Sequence, residues 1–96
     1  VSDICNAIYK SIKDTSGVKT YHVGTGKETS IKELIRIFNK ECINHNISIK
    51  YGSNRVGDMR KNYTSITKIK KYLKWSPKMS LQKGFSQTFK WFLSQK

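Results

Sequence analysis

The sequence is poor in acidic residues, cysteine and proline. Asp and Glu number 6 against 19 Lys and Arg, which gives a formal net charge of +13, and there is a single proline. No two of these few carboxylates stand at a spacing that suggests acid–base catalysis. Cys5 and Cys42 have no C-x-x-C motif and no nearby histidine pair, so a zinc site is not indicated. A disulfide between them has no support, and a buried, reduced thiol is expected for each.

Long hydrophobic runs are also lacking. No apolar stretch reaches the roughly 20 residues needed to cross a bilayer, and no signal peptide is recognisable. The expectation is therefore a cytoplasmic protein without membrane association. Hydrophobic residues make up 36% of the 96 residues. This fraction permits only a thin core and predicts one small domain at most, or a piece of a larger one.

The positive charge comes almost entirely from lysine. The arginines are Arg36, Arg55 and Arg60, and the longest uninterrupted lysine run is Lys70-Lys71. Proteins that read nucleic-acid bases usually rely on the planar fork of arginine, and here the lysines are spread along the whole chain. The distribution does not favour nucleic acid as the partner, although a free-standing module for nucleic acid or another anion stays open as an alternative. Small anionic ligands would be attracted to this surface equally well.

Apolar spacing predicts four helices. They cover about 1–14, the segment that follows Ser30, a short segment capped by Ser65, and the segment that follows Ser80. The second has the clearest start, because Ser30-Ile31-Lys32-Glu33 fits a capping box, in which the first and last side chains satisfy each other's free amides.

Two short strands are predicted between these helices, at Tyr21-His22-Val23 and at the alternating Ile47, Ile49 and Tyr51. The resulting order is helix–strand–helix–strand–loop–helix–helix. It predicts an α/β (α+β-like) small domain in which helices pack on a few short strands.

Three motifs resemble catalytic or cofactor signatures without carrying their chemistry. Gly24-Thr25-Gly26 lacks the third glycine of a dinucleotide-binding fingerprint, because that position is Thr29, and a tight turn is favoured instead. Tyr9 and Lys13 form a Tyr-x-x-x-Lys, but with 5 tyrosines and abundant lysine one such pair is expected by chance. His22 and His45 have no partner at a suggestive spacing, so neither is assigned a catalytic role.

The loop 52–63 holds the one charged motif that suggests ligand binding. Arg55-Val56-Gly57-Asp58 places a fork-shaped cation and a carboxylate on either side of a glycine that permits a sharp bend. An arginine can bind a phosphate through two hydrogen bonds, and an aspartate can accept one from a ribose hydroxyl. Taken alone, the same two side chains fit an exposed ion pair.

Four stretches, in this order, resemble the C-terminal third of the extended short-chain dehydrogenase/reductase family, which includes the nucleotide-sugar 4-epimerases and 4,6-dehydratases. The resemblance covers nearly the whole chain. It departs from the family at Ser65, where an aspartate is usual, and at Lys74, where a glycine is usual. The matching stretches are Val1-Ser2-Asp3 with Ala7, the segment from Tyr21 to Ile31, Arg55-Val56-Gly57-Asp58, and Trp75-Ser76-Pro77 with Ser80-Leu81, Gly84 and Trp91-Phe92.

The resemblance implies a role for four residues of this chain. Arg55 is expected to contact the pyrophosphate of a nucleotide sugar, and Asp58 its ribose. Ile31 is expected to pack against the nucleobase. Asn62, seven positions after the arginine, is expected to line the sugar pocket.

The resemblance also implies an enzyme of which this chain is the substrate-binding part. In the family, NAD⁺ oxidises the sugar C4 hydroxyl; hydride return to the other face gives epimerisation, and elimination before return gives a 4,6-dehydratase. Both the NAD fingerprint and the catalytic Tyr-x-x-x-Lys lie upstream of the region that resembles this chain. We therefore expect residues 1–96 alone to bind no NAD and to be inactive. The expected partners are a nucleotide sugar, an N-terminal Rossmann domain and, in the full-length enzyme, a second copy in a homodimer.

Overall fold

The computed structural model describes residues 1–17, 19–45 and 47–95, and the regular elements in these ranges are helices. They are α1 (Ser2–Ile12), α2 (Ile31–Glu41), α3 (Thr67–Leu73) and α4 (Leu81–Ser94). The predicted helices are thus present, but no strand forms within the described ranges. The predicted α/β fold is wrong: the regular elements of the described ranges are all helices, and the segments where strands were expected have no regular secondary structure.

Two compact units make up the chain, and each combines two separate stretches of sequence. Unit 1 consists of Val1–Glu28 and Tyr63–Ser80, and it contains α1 and α3. Unit 2 consists of Thr29–Asn62 and Leu81–Lys96, and it contains α2 and α4.

The core of unit 1 is small and centres on α3. Trp75 and Ile69 are its most deeply buried side chains, each 1% exposed. The other members are Ala7 of α1, together with Ile66 and Leu73 on either side of Ile69. Because burial of apolar area is the main source of stability in so small a unit, these few side chains dominate its energetics.

The start of α1 is fastened to the segment that follows α3. The Trp75 indole N–H donates to the Asp3 carbonyl at 2.9 Å. The Asp3 carboxylate accepts from the backbone N–H groups of Lys78 (3.1 Å) and Met79 (2.9 Å). Buried or partly buried amides need such partners, and charge-assisted bonds are the stronger kind. Asp3 and Trp75 therefore join two distant parts of the sequence.

The predicted strand at 21–23 is a segment without regular secondary structure, in which the Tyr21 side chain makes the contacts. The Tyr21 hydroxyl donates to Asp14 Oδ2 at 3.2 Å, and the Tyr21 ring packs against the core of unit 1. A hydrogen bond from the Ser16 hydroxyl is the main reason that the pKa of Asp14 lies below its usual value. Alternating burial reveals which side chains face a core, but a strand also needs a neighbouring backbone with which to pair. The described residues offer none to this segment.

The predicted strand at 47–51 likewise lacks a pairing partner among the described residues. Ile47 is 45% exposed and Tyr51 is 76% exposed. The apolar alternation therefore does not place one face of this segment in a core.

Lys74 ends α3 in a left-handed conformation, with φ 54° and ψ 30°. Residues with a Cβ pay a steric cost there, and glycine commonly fills the position. This explains the glycine usual in the related motif, and it shows that the lysine adopts the backbone shape that the glycine would supply. The Lys74 carbonyl also accepts a bond from Lys10 Nζ at 3.0 Å.

We expect Lys74→Gly to stabilise unit 1 by roughly 0.5–1 kcal/mol, because it relieves the left-handed strain while the backbone carbonyl stays in place. The matched control is Lys70→Gly inside the exposed surface of α3, which should destabilise by about 1 kcal/mol. Thermal unfolding followed by circular dichroism reports both changes. A lower melting temperature for Lys74→Gly would contradict the assignment of the strain.

Unit 2 is built from α2 and α4, whose packed faces carry aromatic rings. Phe38 and Phe85 meet edge to face with centroids 5.5 Å apart, and Phe85 stacks near Phe89 at 6.2 Å. The His45 ring lies edge-on to Phe89 at 5.3 Å, which gives this histidine a packing role. Aromatic pairs at such distances stabilise beyond the area they bury.

Local capping follows the sequence prediction at α2 and departs from it at α3. Ser30 Oγ accepts from the Glu33 N–H at 3.1 Å, whereas the reciprocal bond to the Glu33 carboxylate is not formed within the described ranges. At α3 the predicted cap, Ser65, is one residue too early: the N-cap is Ile66, without a side-chain cap. Ser65 instead contacts the Thr67 hydroxyl at 3.1 Å.

Several apolar and thiol side chains are more exposed than expected. On α1 only Ala7 is buried, whereas Ile4, Ile8 and Ile12 are 54, 55 and 75% exposed. Both cysteines are free; Cys42 is buried as predicted, and the prediction of a buried thiol is wrong for Cys5, which is exposed. The periodicity of α1 is therefore correct as a helix signal, but most of its apolar face is uncovered in unit 1.

Candidate functional site

The Arg55–Asp58 motif forms a closed turn on the surface of unit 2. The Asp58 N–H donates to the Arg55 carbonyl at 3.2 Å, as in a β-turn. The Arg55 N–H donates to Asp58 Oδ2 at 3.0 Å, which closes the same four residues a second time. Gly57, at the third position, has φ +90°, a value that side chains with a Cβ rarely adopt. The glycine and the aspartate therefore stand where this turn needs them, whereas Arg55 contributes only its backbone to the turn.

The Arg55 guanidinium is exposed and is not neutralised by Asp58. Within the described ranges it has no hydrogen-bond or ion-pair partner, because the Asp58 carboxylate bonds to the backbone N–H of Arg55 and not to its side chain. The exposed ion pair that the sequence alone left open is thus not what forms. An arginine fork without a carboxylate partner is suited to bind a bidentate anion such as a phosphate.

The other two predicted site residues, Ile31 and Asn62, also belong to unit 2. Ile31 is the first residue of α2 and is 68% exposed. Asn62 is exposed near the end of the loop. No hydrogen bond or ring contact joins either of them to Arg55 or Asp58 across the described residues. An exposed apolar residue in the first turn of a helix offers an open surface on which a flat ring can pack.

The glycine turn 24–26 belongs to unit 1 and does not form a dinucleotide cradle. A Cβ at Gly24 would lie 3.1 Å from Thr64 Cγ2, and one at Gly26 would lie 3.3 Å from Ile66 Cγ1. The glycines therefore allow close packing against the segment before α3, so the space that a Cβ would fill is already taken by protein. The Thr25 hydroxyl accepts from the Lys27 N–H at 3.3 Å and completes the tight turn. These residues do not fit the pyrophosphate of NAD.

Tyr9 and Lys13 meet on the surface of α1 in a way that explains the pair without catalysis. Lys13 Nζ lies 4.4 Å from the centroid of the Tyr9 ring, above its face. This is a cation–π contact between helix neighbours.

Sequence reasoning missed two features of unit 1. Asp3 was matched only as a family residue, and no signal in its spacing points to the amides of Lys78 and Met79. A cavity of about 230 Å³ also lies between α1 and α3, lined by apolar side chains that include Ile4, Ile8 and Leu73. Ser11, Lys19 and Tyr21 add polar groups to the same lining. In the described part of the chain, no helix is long and apolar enough to cross a membrane, and no cluster of three metal-ligating side chains occurs.

Comparison with known proteins finds relatives among enzymes of nucleotide sugars. The chain is 34% identical over 94 residues to a probable UDP-arabinose 4-epimerase of Oryza sativa subsp. japonica, covering 95% of this chain and 23% of that protein. It is 28% identical over 93 residues to a probable GDP-L-fucose synthase of the same plant, covering 97% of this chain and 28% of the relative. The UDP-glucose 4-epimerase of Mycolicibacterium smegmatis is 27% identical over 92 residues, which cover 96% of this chain and 29% of the enzyme.

The chain spans about a quarter of the length of the curated relatives that it matches. No family model matches it, and no solved structure matches it. The relatives agree with the motifs of the sequence in pointing to one group of enzymes. The chain belongs to the short-chain dehydrogenase/reductase family.

Proposed function

We propose that this chain binds the nucleotide diphosphate of a nucleotide sugar in an NAD-dependent nucleotide-sugar epimerase. The observation that carries the proposal is the Arg55 guanidinium, presented on a closed surface turn without a carboxylate partner in the described residues. Two of the relatives named above are 4-epimerases of UDP sugars, and a third is a GDP-L-fucose synthase. A diphosphate-binding arginine is compatible with all three, because each name contains a nucleoside diphosphate.

Each proposed role follows from the chemistry of the side chain and its exposure. Arg55 binds the pyrophosphate through its two-pronged donor geometry. Asp58 keeps Oδ1 available for a ribose hydroxyl, since its bond to Arg55 uses Oδ2. Ile31 offers its exposed side chain to the face of the nucleobase. Together they would hold the nucleotide so that the attached sugar reaches the reacting groups, which is a positioning role.

Asn62 is proposed to line the sugar pocket. A small side chain there leaves room for a 2-acetamido group, whereas a bulky one would exclude that group by steric clash. We therefore propose that an N-acetylated sugar is tolerated as well as its parent hexose.

NAD is proposed as the cofactor of the complete enzyme, where it supplies a hydride acceptor and donor for the sugar. The described residues of this chain do not fit it, because the glycine turn 24–26 is packed against Thr64 and Ile66. The role proposed for this chain is therefore limited to binding the substrate.

A titration of the chain with nucleotides, followed by the backbone amide signals in NMR, tests the proposal. UDP, GDP, UDP-glucose and UDP-N-acetylglucosamine should each shift the amides of Arg55, Gly57 and Asp58 in a saturable way. Uridine, which lacks the diphosphate, is the control and should leave the amides of Arg55 and Gly57 unchanged. Ile31 tests the contact with the nucleobase: its signals should respond to UDP or GDP but not to inorganic pyrophosphate, which has no base. Shifts scattered over the lysines, with none at the turn, would refute the assignment of the site.

A further inference from the structure

In the turn that presents Arg55, Asp58 makes both hydrogen bonds to the Arg55 backbone. The Asp58 backbone N–H donates to the Arg55 carbonyl at 3.2 Å, and the Asp58 carboxylate accepts from the Arg55 N–H at 3.0 Å. Both polar groups of the Arg55 backbone are therefore fixed by the same residue. Side-chain bonds from Asp to a nearby backbone amide are a recognised way to stabilise turns.

Gly57 adds a backbone requirement and not a spatial one. A Cβ placed on it would meet nothing within 4 Å, yet its φ is +90°. Any effect of a substitution here comes from the backbone conformation and not from a clash. The chain also supplies a matched comparison: a Cβ on Gly52, in the same loop, likewise meets nothing, and Gly52 does not have a positive φ.

From these contacts we infer that Asp58 is a positioning residue for Arg55, in addition to any contact it makes with ligand. Resting on the proposed function, this inference separates two roles within one carboxylate. Oδ2 holds the backbone from which the arginine side chain departs, while Oδ1 accepts no hydrogen bond from the described residues and can face a ligand hydroxyl. Because the Arg55 backbone is already fixed, less conformational entropy is lost when the guanidinium binds an anion.

The consequence is that Asp58 matters even for a ligand without a ribose. Inorganic pyrophosphate offers Arg55 the same anion as UDP but gives Oδ1 no hydroxyl to accept from. If Asp58 acts only on the ribose, its removal should spare the affinity for pyrophosphate. If it positions Arg55, the affinities for pyrophosphate and UDP should fall together.

The experiment compares Asp58→Ala with Asp58→Asn, titrated with pyrophosphate and with UDP. Both variants lose the negative charge, so their comparison removes the change in electrostatics, and only Asn retains an oxygen that can accept from the Arg55 N–H. We expect Asp58→Ala to bind both ligands roughly fivefold more weakly than Asp58→Asn, the effect of losing one exposed hydrogen bond. Gly57→Ala should weaken both ligands in the same direction, and Gly52→Ala should weaken neither.

Hydrogen exchange of the Arg55 amide, measured without ligand, keeps this inference separate from the proposed function. The amide should exchange faster in Asp58→Ala than in Asp58→Asn or in the wild type. If Arg55→Ala left both affinities unchanged, the proposed function would fail, while the exchange rates would still report whether Asp58 holds the turn. Equal exchange in the three proteins, or a loss of UDP affinity in Asp58→Ala with pyrophosphate affinity intact, would overturn the inference.

Discussion

Trp75→Ala is expected to unfold unit 1. The side chain is 1% exposed and its indole N–H donates to the Asp3 carbonyl, so alanine removes both core volume and a link to α1. Truncating a buried tryptophan costs roughly 3–5 kcal/mol, which is comparable with the whole stability expected of so small a unit. The expected result is the loss of the α1 and α3 signals, measured by circular dichroism and by NMR of the unit 1 amides.

The chain contains its own control for this substitution. Trp91 is 61% exposed on α4, so Trp91→Ala should change the stability by less than about 0.5 kcal/mol. Trp75→Phe separates the two contributions, because it retains much of the volume while removing the bond to Asp3, and we expect an intermediate effect. A cooperative transition with an unchanged midpoint in Trp75→Ala would show that Trp75 is not the centre of the core.

Arg55→Ala is expected to weaken nucleotide diphosphate binding more than any other surface substitution in unit 2. Loss of a charge-assisted contact to a phosphate costs roughly 1.5–3 kcal/mol, or at least a tenfold rise in Kd. The measurement is the Kd for UDP at fixed ionic strength, since exposed charges are screened by salt. The fold should be preserved, because the Arg55 side chain has no partner among the described residues.

Two further variants distinguish a specific contact from a general effect of charge. Arg36→Ala removes the same charge from the exposed surface of α2 and should leave the Kd nearly unchanged. Arg55→Lys keeps the charge but loses the planar fork, so its Kd should fall between those of wild type and alanine. If Arg36→Ala and Arg55→Ala weakened UDP binding equally, the effect would be one of net charge and not of the turn.

The helices could be predicted from the sequence because their determinants are local. The spacing of Ile4, Ala7 and Ile8 predicts α1, and the serine at position 30 marks the start of α2, where its hydroxyl accepts the Glu33 N–H. The strands could not be predicted, because a strand depends on a partner that the sequence pattern does not contain. Tyr21 shows the difference: the sequence predicts a strand there, but the side chain is held by the hydrogen bond that its hydroxyl donates to Asp14.

The candidate site was predictable as a motif but not as a geometry. The sequence predicts a sharp bend at the glycine between Arg55 and Asp58, and Gly57 has the positive φ, +90°, of such a bend. The bond inside the turn could have been suggested by the position of Asp58, three residues after Arg55, from whose backbone N–H it accepts. Aspartate is one of the residues that turns prefer, because its side chain can bond to a nearby backbone amide. By contrast, the hydrogen bonds that Asp3 accepts from Lys78 and Met79 span 75 and 76 positions, and no local pattern encodes them.

The interleaving of the two units has a consequence for how the chain acquires its structure. Unit 1 needs Val1–Glu28 and Tyr63–Ser80 together, and unit 2 needs Thr29–Asn62 together with the segment from Leu81 onward. During synthesis, Thr29–Asn62 of unit 2 is therefore made after α1 and before α3, so α1 cannot pack against α3 until that segment is complete. Contacts between residues far apart in the sequence slow folding, because closing the intervening loop costs entropy before those contacts can stabilise the structure.

On the ribosome, the isoleucines of α1 stay without their native contacts in unit 1 until Tyr63–Ser80 has been synthesised. Domains usually fold in order from the N-terminus, but here neither unit can be completed until more than half of the chain has emerged. Truncation at any point before Lys78 leaves unit 1 without the Lys78 and Met79 amides that donate to Asp3, and unit 2 without α4. The two units are thus separate as compact bodies but inseparable as stretches of sequence.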